Sequence, residues 1–165
     1  MAVISAATNQ VVRTLTVGNR PFGVAFTPPA LGSFTRAALQ VTHESHGKGD
    51  VALSAGFSVL VDDIEIKPVI QPVTLENGDY IAVIAPGSSV KGTTPSGDAQ
   101  YTFQGQIDGA DVRIVITSAG DQTWSLEASG HGVDVQGIHG RVTVTVLIGS
   151  YHTTTQVRVR VNPQR

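Results

Sequence analysis

The chain has 165 residues, only 15% of them charged, and its formal net charge is −2. So weak a charge gives no electrostatic basis for binding nucleic acid or an anionic membrane. The absence of cysteine excludes disulfide bonds, thiolate metal sites and cysteine nucleophiles. No apolar run approaches the ~20 residues that a membrane-spanning helix needs, so we predict no membrane span.

Short apolar blocks and turn residues alternate over the first 28 residues. Two apolar runs flank Asn9 and Gln10, a break follows at 18–21, and a third apolar run covers 22–26. This pattern predicts strand, turn, strand, loop and strand. The first strand begins almost at Met1 and no signal peptide is visible, so we expect the natural protein to begin upstream.

Residues 3–28 resemble one repeat of the YVTN family of β-propeller proteins. The matching residues are Val3-Ile4, Ala7-Thr8-Asn9, Val11-Val12, Val17-Gly18-Asn19, Pro21-Phe22-Gly23-Val24-Ala25 and Thr27-Pro28. Closed propellers need about four to eight blades, so a single fragment leaves an apolar face and open strand edges. We therefore expect the segment to pack on the following domain, to pair with another copy of the chain, or to be the remnant of a longer protein.

Pairing with another copy is the alternative that gives the segment a function. In strand addition, main-chain hydrogen bonds bind the added strand, and alternate apolar side chains set its register. The candidate self-association residues are Val3, Ile4, Val11, Val12, Leu15 and Val17.

Pro28, Pro29 and Gly32 mark residues 29–36 as a linker. Alternation with period two dominates from residue 37 to 165. Its longest run has apolar residues at Val51, Leu53, Ala55, Phe57, Val59 and Val61. Asn77-Gly78 and Asp108-Gly109 predict tight hairpin turns. Eight to ten short strands predict an all-β fold, an antiparallel β-sandwich of Ig-like or jelly-roll-like type that follows the N-terminal propeller-type hairpin.

Residues 50–150 also look like a repeat-rich module of secreted bacterial proteins. Three segments carry the resemblance: Phe103-Gln104-Gly105-Gln106-Ile107-Asp108-Gly109, Ala128-Ser129-Gly130-His131-Gly132, and Val142-Thr143-Val144-Thr145-Val146-Leu147-Ile148-Gly149. The resemblance implies an extracellular or cell-surface location and carries no activity. In the second segment the glycines predict a connector, which makes His131 a loop residue.

No group of residues predicts catalysis, a cofactor or a metal ion. His43 and His46 are three residues apart, so on a strand they point to opposite faces. The acidic groups, Asp62-Asp63 with Glu65 and Asp108 with Asp111, lack the carboxylate pattern of a calcium loop. No nucleophile elbow and no facing carboxylate pair is visible, so we predict a protein that is not an enzyme.

The sequence thus predicts a non-enzymatic extracellular structural module that self-associates or presents a surface, with other copies of the same chain as its partners. The alternative is a β-sandwich that binds carbohydrate or another ligand. Tyr80 and Tyr151 are the candidate stacking residues for that function, because Trp124 alternates in phase with Leu126 and is expected in the core. A calcium-stabilised adhesin domain is a third hypothesis.

Overall fold

The structure is a computed structural model that describes residues 2–4, 11–14, 32–59, 66–120 and 122–162, with the backbone alone at 2–4, 11–14 and 45. Its strands are β1 (Ala2–Ile4), β2 (Val11–Thr14), β3 (Gly32–His43), β4 (Lys48–Val59), β5 (Val73–Asn77), β6 (Tyr80–Ile84), β7 (Val90–Thr93), β8 (Ala99–Ile107), β9 (Ala110–Ser118), β10 (Thr123–Asp134), β11 (Arg141–Ile148) and β12 (Tyr151–Asn162). A 3₁₀ turn (Ser45–Gly47) joins β3 to β4, and these residues include no α-helix. The all-β prediction is confirmed.

Ten strands form one mixed sheet in the order β6-β5-β11-β12-β3-β4-β10-β9-β8-β7. Every neighbouring pair is antiparallel except β12 and β3, which run parallel. The sheet curls into a half-barrel, and β6 comes into contact with β8. The predicted sandwich is not confirmed, because the parallel β12–β3 pair joins all ten strands into a single twisted sheet instead of two sheets that pack face to face.

The two predicted hairpins are present, and each turn contains at least one residue with a positive φ angle. Asp108 and Gly109 have φ of 50° and 80°, as a type I′ turn between β8 and β9 requires. At the other hairpin, Asn77 belongs to β5 and pairs with Tyr80. The turn residues there are Gly78, with φ of 62°, and Asp79, one position later than the Asn-Gly pair suggests.

The core lies on the inner face of the curled sheet. In β4 the alternate residues Val51, Leu53, Ala55, Phe57 and Val59 are all buried, as predicted; Val61 lies outside the described residues. Leu39 of β3, Ile116 of β9 and Leu126 of β10 join them. Each fully buried side chain of this kind stabilises the fold by about 1.5–3 kcal/mol. Trp124 packs against this cluster as predicted. The centre of its ring lies 6.3 Å from that of Tyr101, and the two ring planes are inclined by 31°.

The N-terminal segment contributes a separate two-stranded sheet. β1 pairs antiparallel with β2, with Val3 opposite Arg13 and Ile4 opposite Val11. The predicted third strand at 22–26 lies outside the described residues. The linker prediction is wrong for residues 32–36, which begin β3. Gly32 pairs there with Val59, and a bulge between Phe34 and Arg36 takes up a change in register.

Candidate functional site

The two candidate stacking residues lie on different strands, Tyr80 on the edge strand β6 and Tyr151 on β12. Tyr80 is opposite Asn77 of β5, which pairs with Val144 of β11, whereas Tyr151 is opposite Ile148 at the far end of β11. Both rings are half-buried against the core. The structure therefore does not bring Tyr80 and Tyr151 together into one stacking platform.

Tyr80 instead borders a polar cleft of about 410 Å³. The cleft forms where the β5–β6 turn and the β8–β9 turn approach the end of β10, and its polar wall contains Asp79, Asp108, Asp134 and Lys48. Burial, followed by the negative charge of Asp108, raises the pKa of the Tyr80 phenol. Its hydroxyl is buried and has no hydrogen-bond partner among the residues that the structure describes. The cleft thus offers three carboxylates beside one aromatic ring.

A second polar cluster lies on the outer face of β4 and β10. A bulge in β10 between Gly130 and Val133 lets His131 and Gly132 together oppose the single residue Asp50. His131 Nδ1 is 2.6 Å from Asp50 Oδ1 and 3.9 Å from Glu44 Oε1, and all three residues are exposed or partly exposed at the surface. The bulge therefore directs the imidazole towards two carboxylates.

Neighbouring carboxylates set the protonation of His131. The hydrogen bond with Asp50, then the charges of Asp50 and Glu44, raise the pKa of the imidazole, and Asp111 adds to the effect. Asp111 is the β9 residue directly opposite His131, and it accepts a hydrogen bond of 3.1 Å from Gln106 Nε2. The cluster can therefore bind a proton or a cation.

Sequence reasoning missed this cluster because it placed His131 in a connector. The residue lies within β10, and the predicted connector is a bulged stretch of that strand. The one local signal is Gly132, whose φ of 72° belongs to the bulge. Nothing in the sequence pairs position 131 with position 50, so only the register of β10 on β4 could reveal the contact.

The edge strand β6 presents an exposed apolar surface. Ile81 and Val83 are 49% and 56% exposed, and β6 contains no charged residue. Since the two-residue turn makes Asn77 and Tyr80 a hydrogen-bonded pair, the backbone N–H and C=O groups of Ile81 and Val83 point away from β5. Among the described strands, only β5 is hydrogen-bonded to β6. Within the described part of the chain, backbone groups without a strand partner and exposed apolar side chains therefore coincide at β6.

The opposite edge of the sheet differs in chemistry. β7 has only four residues, all exposed, and it includes Lys91 and Gly92. A short edge strand with a lysine resists pairing with another chain. Its one large apolar residue is Val90, which is 72% exposed. The two edge strands therefore differ in length, exposure and charge.

The remaining candidate residues are dispersed. Val3, Ile4, Val11 and Val12 lie in the β1–β2 hairpin, whereas Leu15 and Val17 lie outside the described residues. His43 ends β3 and His46 lies in the 3₁₀ turn. Within the described part of the chain, the one group of three potential metal ligands is Glu44, Asp50 and His131. The acidic residues 62, 63 and 65 are outside it.

No protein-family model, curated protein or solved structure matches this chain. The resemblances of residues 3–28 and 50–150 therefore stay predictions from the sequence. Across the described residues, no helix has the length and apolar character to cross a membrane.

Proposed function

We propose that this protein is a non-enzymatic structural module that self-associates by strand addition at its β6 edge. The observation that carries the proposal concerns Ile81 and Val83: their side chains are exposed, and their outward backbone groups pair with no other strand that the structure describes. An exposed apolar edge strand without charges is a template for pairing with another chain. The edge strands of a sheet are usually protected against pairing, and of the two edge strands here only β7 contains a charged residue.

The donor in this proposal is the N-terminal hairpin of a neighbouring copy. β1 and β2 pair with each other in a sheet of their own, so each has a second edge for another strand. β2, with four residues, is close in length to the five residues of β6. β2 contains Val11, Val12 and Thr14, and β6 contains Ile81, Val83 and Ile84. Such β-branched residues suit a pleated, half-buried surface. An extracellular location belongs to the proposal and rests on the sequence resemblance of residues 50–150.

Size-exclusion chromatography with light scattering tests the proposal over a range of protein concentrations. We expect the full chain to form oligomers that are lost on Val83→Lys, because a charge on the edge opposes strand pairing. Val90→Lys is the matched control, since it places the same charge on an exposed β-branched residue of the other edge. We expect its oligomers to match those of the unchanged chain.

Deletion of residues 1–28 tests the donor separately. We expect the shortened chain to be monomeric, with the circular dichroism of the ten-stranded sheet retained. A full chain that is monomeric at every concentration would contradict self-association. Oligomers that survive Val83→Lys would contradict the β6 edge, and oligomers that survive the deletion would contradict the N-terminal donor.

The cleft beside Tyr80 favours a second candidate function, carbohydrate binding. Carboxylates such as Asp79, Asp108 and Asp134 accept hydrogen bonds from sugar hydroxyls, and an aromatic wall can contact a sugar ring. Tyr151 does not belong to this site. Binding on a glycan array that is lost in Asp108→Asn would support the function, and an array without binding would exclude it.

A further inference from the structure

Three side chains from separate elements converge on one point of the outer face. Glu44 follows the end of β3, Asp50 lies on β4 and His131 on β10. One ligand atom from each, two carboxylate oxygens and an imidazole nitrogen, lie within 4.8 Å of one another. Ligand atoms of one tetrahedral zinc ion lie about 3.3 Å apart, since zinc bonds are near 2 Å. The separations of His131 Nδ1 from the two carboxylates, 2.6 and 3.9 Å, lie on either side of that spacing.

The donor atoms distinguish between classes of metal ion. Calcium and magnesium take oxygen ligands, whereas zinc combines imidazole nitrogen with carboxylate oxygen. From this geometry we infer that Glu44, Asp50 and His131 form a binding site for a divalent transition-metal ion of the zinc type. Nδ1 is the imidazole atom that faces both carboxylates, so it is the atom that binds the ion.

The surroundings of the cluster suit such an ion. The bulge in β10 holds His131 opposite Asp50, and pairing with β9 places Asp111 beside the imidazole. Gln106 donates a hydrogen bond to Asp111, so a further carboxylate is held near the proposed ion without being one of its ligands. A surface depression of about 680 Å³ borders Asp50, Asp111 and His131, and it leaves room for water to complete the coordination.

This site is independent of the proposed self-association. It lies on β4 and β10 in the middle of the sheet order, whereas the proposed association edge is β6 at one end. A monomer that binds zinc would support the metal site and contradict self-association. An oligomer that does not bind zinc would do the reverse, so the two proposals succeed or fail separately.

Isothermal titration of the full chain with zinc chloride, after treatment with a chelator and dialysis, tests the site. We expect saturable binding of one ion per chain. His131→Gln and Asp50→Asn are expected to weaken it at least tenfold. Because both side chains are exposed, the variants should fold, which circular dichroism checks. His139→Gln is the matched control: this exposed histidine lies outside the cluster, and we expect unchanged affinity.

Nitrogen-15 NMR of the histidine side chains identifies the bound atom. Zinc should shift the Nδ1 signal of His131 and leave that of His139 in place. The inference is overturned by any of three results: no saturable zinc binding, affinity that falls less than tenfold in His131→Gln, or an unchanged His131 signal. Those results would leave His131 and Asp50 as a surface ion pair.

Discussion

At the scale of single residues, the bulge of β10 gives one exposed histidine an unusual environment. His131 is surrounded by Asp50 on β4, Glu44 after β3 and Asp111 on β9. A histidine whose pKa is higher in the folded than in the unfolded protein favours folding when it is protonated, because the folded protein binds the proton more tightly. This contribution is present below the ordinary pKa of 6.5 and is lost as the pH rises through the raised value. The contribution is small, because the imidazole is exposed to solvent, which screens the charges.

The variant Asp50→Asn tests the cause of that shift. We expect the pKa of His131 to fall, because the hydrogen bond to a carboxylate and the nearest charge, its two largest causes, are both removed. The measurement is a pH titration of the His131 ring protons by NMR in the presence of a chelator. The variant Asp98→Asn changes a distant carboxylate that hydrogen-bonds to Thr94 and serves as the control. A His131 pKa that is equal in the unchanged chain and in Asp50→Asn would contradict this account.

At the scale of elements, the hairpins depend on backbone angles that only some residues adopt readily. The β8–β9 turn needs positive φ at Asp108 and at Gly109. Aspartate tolerates this conformation because its short polar side chain can form local hydrogen bonds, and glycine has no Cβ to clash. A substitution in this turn therefore tests backbone conformation, provided that the new side chain has space.

We expect Gly109→Ala to lower the free energy of unfolding by about 1–2 kcal/mol, the cost of positive φ for a residue with a Cβ. Apart from the two chain neighbours, no described residue has an atom within 4 Å of the added Cβ, so steric overlap does not contribute. Gly92→Ala on β7 is the matched control, because its Cβ also meets open space and its φ is not positive. The control should change stability by no more than about 0.5 kcal/mol. Urea denaturation measures both, and equal losses would contradict the explanation.

Much of the arrangement of strands and turns was predictable from the sequence. Alternation from Val51 to Val59 correctly identified the buried face of β4, and the turn residues identified both hairpins. Both signals are local, since a strand alternates its faces residue by residue and a turn needs only two residues. Gly132 misled the prediction, because a glycine with positive φ occurs in a bulge as well as in a loop.

At the scale of the whole molecule, nine strands of the sheet share one continuous core, and β7 is exposed. Phe57 is fully buried on the central strand β4, and its ring contacts that of Phe34 edge to face at 6.4 Å. Thr153 of β12 donates a hydrogen bond to the Gly32 carbonyl of β3, across the parallel pair that joins the two halves of the sheet. The core is therefore expected to unfold as one unit.

We expect Phe57→Ala to lower the free energy of unfolding by about 3–5 kcal/mol, because it leaves a cavity in the middle of the sheet. The fluorescence of Trp124, the only tryptophan, and far-UV circular dichroism should report the same urea transition. Val161→Ala, at an exposed position of β12, is the control and should cost about 0.5 kcal/mol or less.

Phe57→Leu, with a smaller cavity, gives an intermediate value if the alanine variant does not fold. Two separate transitions would contradict a single core.

The sequence by itself determined the all-β class, the buried face of the strands and the positions of the hairpin turns, because each depends on the side chains and backbone of adjacent residues. Only the tertiary structure decided that the strands form one curled sheet and that His131 meets Asp50. Val159 pairs in parallel with Leu39, and His131 faces Asp50 across a bulge. Contacts between residues far apart in the chain depend on which strands become neighbours and in what register, and alternation with period two is the same for every neighbour.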